Sequence, residues 1–439
     1  MRPQLTPAQA EAFSRDAVLR HTGRAGADRA DPWVPERLSL PFSPDYVVGR
    51  GHHRTVQAAV NSAIRDGRTG RVVIGVEPGV HEGLIHVPPL PFPITLAGLG
   101  RRPEQTVLKA SIDAEMPGAE FATRFEAHVS DAPEAVLSIV RRIAAQDKIT
   151  TANASVLRIE CDGFQLHNLT VRNGYQADRA QDGAHRRNAA GQFTTGQHQA
   201  VAVLVDGADR VQLQDVHLRS FQDTLYLQSP TKGTTVRTHL SGCDIEGDVD
   251  FIFGQSTAWF DGCTIRSLGT RAPECWVAAP ATDIRTRYGF VFHDCDFVHD
   301  GSALAQRRQM RLGRQWFEGV RATPYGHPTV AGYRCDLAET SAYTPPLGTI
   351  SRATLESVGK CVILRSRIGR HIDLTTPWDS WSGRNWGPRY RPALYTAGDM
   401  MAQLGGWLAR QRIRYDDIDP DMVFLSEFEN QWSDPGPSG

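Results

Sequence analysis

A three-residue unit (small or polar, then polar, then aliphatic or aromatic) recurs along this chain. It appears as His167-Asn168-Leu169, Gln214-Asp215-Val216, Cys243-Asp244-Ile245, Cys263-Thr264-Ile265, Cys295-Asp296-Phe297 and Cys335-Asp336-Leu337. The final positions lie 47, 29, 20, 32 and 40 residues apart. A constant local unit at an uneven period suits a solenoid whose rungs carry loops of different length. Strand-sized apolar runs separated by turns fill the interval, and few long helical patterns interrupt it, which disfavours a doubly wound α/β sheet. The expected fold is all-β: a single-stranded right-handed parallel β-helix, with insertions at 110–148, 175–196 and 301–311.

The ends read differently. Thr6 as an N-cap followed by Pro7 and alanines predicts a helix reaching His21. A Pro-containing linker follows over 31–46. Val56, Ala59, Val60 and Ala63 predict a helix from Thr55 to Arg65, and residues 396–413 a packing helix. The organisation is thus an N-terminal extension over 1–46, a β-helix catalytic domain over 47–395, and a C-terminal helix and tail over 396–439, with short helices flanking the coil at both ends.

Four of the seven cysteines (243, 263, 295 and 335) fall at one position of the repeat. Equivalent positions of a β-helix stack at about 4.8 Å, within the Cα separation that a disulfide tolerates. A Cys243–Cys263 bridge and a stack of small buried thiols both fit. Lys and Arg number 48 against 49 Asp and Glu, so no basic excess points to nucleic acid. No stretch approaches the roughly 20 apolar residues of a membrane span. The first 24 residues alternate charged and apolar groups and show no signal-peptide apolar core.

Serine-elbow, zinc-protease and phosphate-loop signatures are missing from the sequence. Two aspartates remain: Asp223 in Gln222-Asp223-Thr224-Leu225-Tyr226 and Asp250 in Asp250-Phe251-Ile252-Phe253-Gly254. Either alone reads as a turn residue. Their 27-residue separation matches one rung plus a small insertion, which would stack them on one face. Close carboxylates separate in pKa, leaving one as acid and one as base or nucleophile. Alternation sends Phe251 to the side opposite Asp250, into the core.

Gln199-Ala200-Val201-Ala202-Val203, the two aspartate motifs and Leu312-Gly313-Arg314-Gln315-Trp316 occur in the order that characterises pectin methylesterases. The chain resembles that family from about Val47 to Trp386, and its long insertions are most similar to the bacterial lipoprotein-like branch. A weaker element, Gly79-Val80-His81-Glu82, carries His where Tyr is usual, and Gln315 stands where Pro is usual. The resemblance implies hydrolysis of C6 methyl esters of galacturonate in pectin or methylated oligogalacturonides, by a monomer outside the cytoplasm, without metal or cofactor. It makes Asp250 the nucleophile and Asp223 the acid and then base. Gln199 and Gln222 become oxyanion donors, and Arg314 the partner of Asp250. Trp316, Tyr226, Phe253 and Val249 line the sugar cleft. A related hydrolase acting on another ester or thioester, a lyase or polygalacturonase, and a non-catalytic carbohydrate-binding coil are the competing readings.

Overall fold

The computed structural model describes residues 2–40, 43–175, 199–272, 274–317, 322–325, 332–342, 348–381 and 390–432. Three strands make one rung. Arg237–Ser241, Asp244–Gly247 and Ile252–Gly254 form one such turn, and the chain returns at Thr257–Asp261 beside its starting strand. Each strand pairs in parallel with its equivalent on the next rung, as Leu240 with Phe260, Ile245 with Ile265 and Phe253 with Ala279. Among the described residues the first sheet has ten strands, the second nine and the third eight. They run from Tyr46–Val48 to Leu425–Phe428, from Gly79–Glu82 to Gln431–Trp432, and from Ile85–Val87 to Trp378–Asp379. The expected right-handed parallel β-helix is the fold, with the hand that parallel crossovers take.

Columns of identical register fill the coil. Leu166, Leu213, Leu240, Phe260, Phe292 and Ile363 are mutual register partners along the first sheet, and all are fully buried. The rings of Phe260 and Phe292 stack at 4.3 Å. At the corner between the first and second sheets a left-handed residue recurs: Asn168, Asp215, Gly242, Gly262, Asp294, Arg365 and Glu429, with φ from 49° to 59°. Asn168 is buried there and donates its amide to the carbonyls of Gly98 and Gly100.

That corner corrects the register of the repeat. The amides of His217, Asp244 and Thr264 bond the carbonyls of Leu169, Val216 and Cys243, so Leu169 and Val216 align with Cys243. The partners of Ile245 are Leu218 and, one rung earlier, Val171. A two-residue slip preserves the in-out alternation of a strand, so period alone does not detect it. Cys335 is not a rung residue: it lies in Tyr333–Ala338, which pairs with Gly348–Ser351 in a separate small sheet. Its expected place belongs to Ser366, whose hydroxyl accepts the Cys295 amide. All seven cysteines are free, so the Cys243–Cys263 bridge is not formed. Instead the thiols of Cys243, Cys263 and Cys295 each reach a carbonyl of the preceding rung, on Leu213, Leu240 and Phe260.

The insertion at 110–148 is helical rather than looped. Gly118–Phe125 and Glu134–Ala144 pack around Phe121, Val136, Ile139, Val140 and Ile143, a 3.6-residue spacing that marks one apolar helix face. Residues 301–311 hold a single short 3-10 turn, Ala305–Arg307; the 175–196 insertion lies almost wholly outside the described residues. Helices Val56–Arg65 and Ala397–Arg410 match expectation, capped by Thr55 and Thr396. The coil continues beyond the expected boundary at 395, with Leu425–Phe428 and Gln431–Trp432 completing a last partial rung.

The first helix is two. Pro7–Glu11 ends before Ser14, whose extended backbone separates it from Arg15–Val18. This arm lies on the outer face of the first sheet, where Leu5, Val18 and Leu19 cover Trp259, Val291, Val362 and Leu364. Arg237, with no exposed side-chain surface, fastens it: the guanidinium pairs with Asp31 and Asp209 and donates to the Leu19 carbonyl. Removing one member of a buried pair strands the others and costs about 3–5 kcal/mol. Asp31 keeps 30% side-chain exposure, so the lower end applies. Arg237→Met should lower the denaturant-derived stability by about 3 kcal/mol; a loss under about 1 kcal/mol would show that the pair does not fasten the arm.

Candidate active site

Both aspartates sit at the corner between the second and third sheets. His217–Arg219 leads through Asp223 into Leu225–Gln228, and Asp244–Gly247 leads through Asp250 into Ile252–Gly254. Leu225 and Ile252 are register partners. Asp223 and Asp250, each two residues upstream, therefore occupy one position on adjacent rungs, about 4.8 Å apart along the axis. Their backbones repeat the same left-handed conformation, φ 65° and 49°, which Asp tolerates better than most residues. The Asp223 and Leu225 amides bond the carbonyls of Val249 and Phe251 and lock the two corners together. Phe251 is fully buried in the core. Gly254 has φ 128°, and a Cβ there would lie 2.1 Å from the Leu227 carbonyl oxygen, so the motif has room only for glycine.

Arg314 ends the strand Arg311–Arg314, two rungs beyond Ile252–Gly254 in the third sheet. It reaches back to Asp250 and binds it side-on, Nε to Oδ1 at 2.8 Å and Nη2 to Oδ2 at 2.7 Å. On the way the guanidinium crosses the indole of Trp276, 3.9 Å from the ring centroid. Trp276 Nε1 in turn donates to Asp379 at 2.9 Å. Asp223 has a different environment. It is 7% exposed, and burial pushes its carboxyl well above the usual range, reinforced by the charge of Asp250 and opposed by Arg314. One aspartate is thus paired with a guanidinium, while its neighbour favours the protonated form.

Gln199 and Gln222 bridge on adjacent rungs, and the Ala200 amide bonds the Gln222 carbonyl. This places both glutamines on adjacent rungs, with Gln222 immediately before Asp223. Val249 is half-buried between the aspartates, its carbonyl held by Asp223. The expected sugar-facing aromatics divide. Tyr226 and Phe253 stack at 4.1 Å and are only 6% and 4% exposed, packed with Val201, Leu204 and Ala279. Trp316 is half-buried and meets Phe253 edge-on at 6.0 Å. Gln315, buried, donates to the Gly359 carbonyl and accepts from the Leu394 amide; it pins the backbone between Arg314 and Trp316. The strand Gly79–Glu82 lies at the first rung of the second sheet, away from the aspartates.

Three residues of the site were not singled out in the sequence. Trp276 lies in a plain apolar strand. Asp248 was visible as a second acid in Gly247-Asp248-Val249-Asp250, but its partner Arg271 lies 23 residues on, a separation that no local motif exposes.

A parallel β-helix with a buried acid beside an arginine-paired carboxylate is equipped for acid–base hydrolytic chemistry, and known proteins narrow the class. Residues 128–323 match the Pectinesterase family model. Pectinesterase B of Dickeya dadantii (strain 3937) is 32% identical over 343 residues, covering 74% of this chain and 75% of the relative. A protein of Escherichia coli (strain K12) named "Putative acyl-CoA thioester hydrolase YbhC" is 30% identical over 320 residues, 70% of each chain. The solved structure of rice weevil pectin methyl esterase superposes with a TM-score of 0.71 at 24% identity, over 98% of this chain and 97% of that one. The chain belongs to the pectinesterase family and is a carboxylic ester hydrolase. No helix among the described residues is long and apolar enough to cross a membrane.

The raised Asp223 pKa has a thermodynamic signature. Its folded pKa lies above the unfolded value, so the folded state retains a proton that the unfolded chain has released. Stability therefore falls as pH rises from about 4 toward the folded pKa, by at most about 1.4 kcal/mol per pH unit. Asp223→Asn cannot ionise; it should flatten this slope and exceed wild-type stability at neutral pH. Urea midpoints measured across that range check it, and an unchanged slope would contradict the protonated reading.

Proposed function

We propose that the chain hydrolyses the C6 methyl ester of galacturonate units in pectin or methylated oligogalacturonides, through an acyl-enzyme on Asp250. The observation that carries this reading is the divergence of the two stacked aspartates: Asp250 held side-on by Arg314, Asp223 buried and biased toward its acid form. A carboxylate bound by two N–H groups retains lone pairs on both oxygens. Asp250 uses one to attack the ester carbonyl carbon, and the carbonyl electrons move onto oxygen. The amides of Gln199 and Gln222, from adjacent rungs, donate to that oxyanion.

Collapse of the tetrahedral species breaks the bond to methoxide. Asp223, protonated, gives the leaving oxygen its proton, and methanol departs. Now a carboxylate, Asp223 takes a proton from water as the water attacks the acyl carbon. Asp250 leaves as carboxylate, galacturonic acid is released and loses its proton to solvent as galacturonate, and Asp223 is again the acid. Arg314 stabilises Asp250 as nucleophile and as leaving group. Trp316, braced by Phe253, offers its ring to a sugar face, with Tyr226 and Phe253 as the packed base beneath it. No step calls on a metal. A location outside the cytoplasm follows from the substrate.

A second reading keeps the same aspartate chemistry but takes another ester or a thioester, favoured by the likeness to the E. coli thioester hydrolase-named relative. Methanol release from highly methylated pectin separates the two. Wild type should release it without added metal, Asp250→Ala should abolish it, and Gln222→Ala should reduce kcat by about 10²–10³. Thioester cleavage without methanol release would transfer the function to the second reading.

A further inference from the structure

A second carboxylate–guanidinium pair stands beside Asp223. Asp248 is 3% exposed, and Arg271 binds it side-on through Nε and Nη2, both at 2.5 Å. Their side chains keep only 4% and 7% of their surface. The geometry repeats that of Asp250 with Arg314, where Nε and Nη2 also take the two carboxylate oxygens. Asp248 lies in the corner that carries Asp250, and its amide bonds the carbonyl of Phe221, just before Gln222 and Asp223. Its own carbonyl accepts from the Trp276 amide. Arg271, from the connection after Thr264–Ser267, crosses the Phe221 ring at 5.3 Å. The pair therefore touches three successive rungs at the site.

We propose that Asp248 and Arg271 are positioning residues: a neutral ion pair that clamps the Asp223 and Asp250 corners together and sets the charge against which Asp223 holds its proton. The charged groups facing Asp223 are Asp250 and Asp248 from the next rung, Arg314 from the third sheet and Arg271 from the connection. They amount to two carboxylates and two guanidiniums, joined as two pairs. Intact, each pair presents little net charge. Burial then decides the state of Asp223. Breaking the second pair on its acidic side leaves a buried guanidinium unopposed near Asp223 and favours the ionised acid. This positioning role for Asp248 and Arg271 rests on the roles proposed above for Asp223 and Asp250.

Two readouts test it and keep its failure distinct from failure of the proposed function. Where Asp223 must be protonated to release methanol, kcat/KM falls as it ionises at high pH. Asp248→Asn should move that alkaline limb down by about one pH unit. Neutralising both partners, Asp248→Asn with Arg271→Gln, should return the limb to its wild-type position, and Arg271→Lys should leave it in place. The second readout needs no substrate: the 13C shift of the Asp223 carboxyl, assigned by its disappearance in Asp223→Asn, should titrate lower in Asp248→Asn and recover in the double variant. If Asp248→Asn does not fold, Arg271→Gln carries the comparison from the other side: it leaves the Asp248 carboxylate unopposed near Asp223, so the alkaline limb and the carboxyl titration should both move up, and an unmoved titration would equally overturn the proposal. An unmoved Asp223 titration in folded Asp248→Asn, or a double variant that does not recover, would overturn the proposal. Absence of methanol release with the carboxyl shifts as described would instead fault the substrate reading alone.

Discussion

The site depends on parallel register. Two aspartates 27 residues apart become neighbours because Leu225 pairs with Ile252, and that pairing repeats one corner conformation a rung later. A slip of one residue would turn Asp250 inward and Phe251 out. The columns of Leu, Ile and Phe in the core make such a slip costly, since each would leave a fully buried apolar stack for solvent. Packing energy distributed over the coil is thereby converted into the placement of two carboxyl groups.

Register also explains why equivalent positions carry different chemistry. Asp223 and Asp250 share residue type, backbone conformation and corner. They differ in what the next rungs supply. Arg314 is delivered beside Asp250 by the strand two rungs away, with Trp276 beneath it. Asp223 instead receives burial and the field of its neighbour. Gln315 ties the Arg314–Trp316 segment to the backbone at Gly359 and Leu394, so the arginine and the indole are presented by a braced turn rather than a free loop.

Much of this was legible in the sequence, for reasons that differ by element. The coil showed through its repeated unit, and the capped helices Val56–Arg65 and Ala397–Arg410 through Thr-initiated patterns. The exact register did not, because Leu169 and Val216 are separated from their mistaken equivalents by two residues, an even number. Cys335 imitated a rung residue in composition, while Ser366 filled the place without resembling it. The helical insertion escaped because its helices of 8 and 11 residues run only about two and three turns, too few for a helical period to stand out. At the site, the ordered motifs exposed Asp223, Asp250, Gln199, Gln222 and Arg314. Trp276 and the Asp248–Arg271 pair were hidden, since contacts between rungs leave no fixed spacing in the chain. The resemblance assigns Tyr226 and Phe253 to the sugar cleft; in the structure they stack on each other and keep only 6% and 4% of their surface.

The central claim is that Asp250 attacks the ester carbon and does not merely activate water. Turnover in the presence of hydroxylamine tests it most directly. An acyl-enzyme should partition, giving galacturonyl hydroxamate at the expense of galacturonate while methanol release is undiminished, and the product ratio should follow the hydroxylamine concentration. Methanol release at the same rate with no hydroxamate formed would contradict the account and make Asp250 a general base.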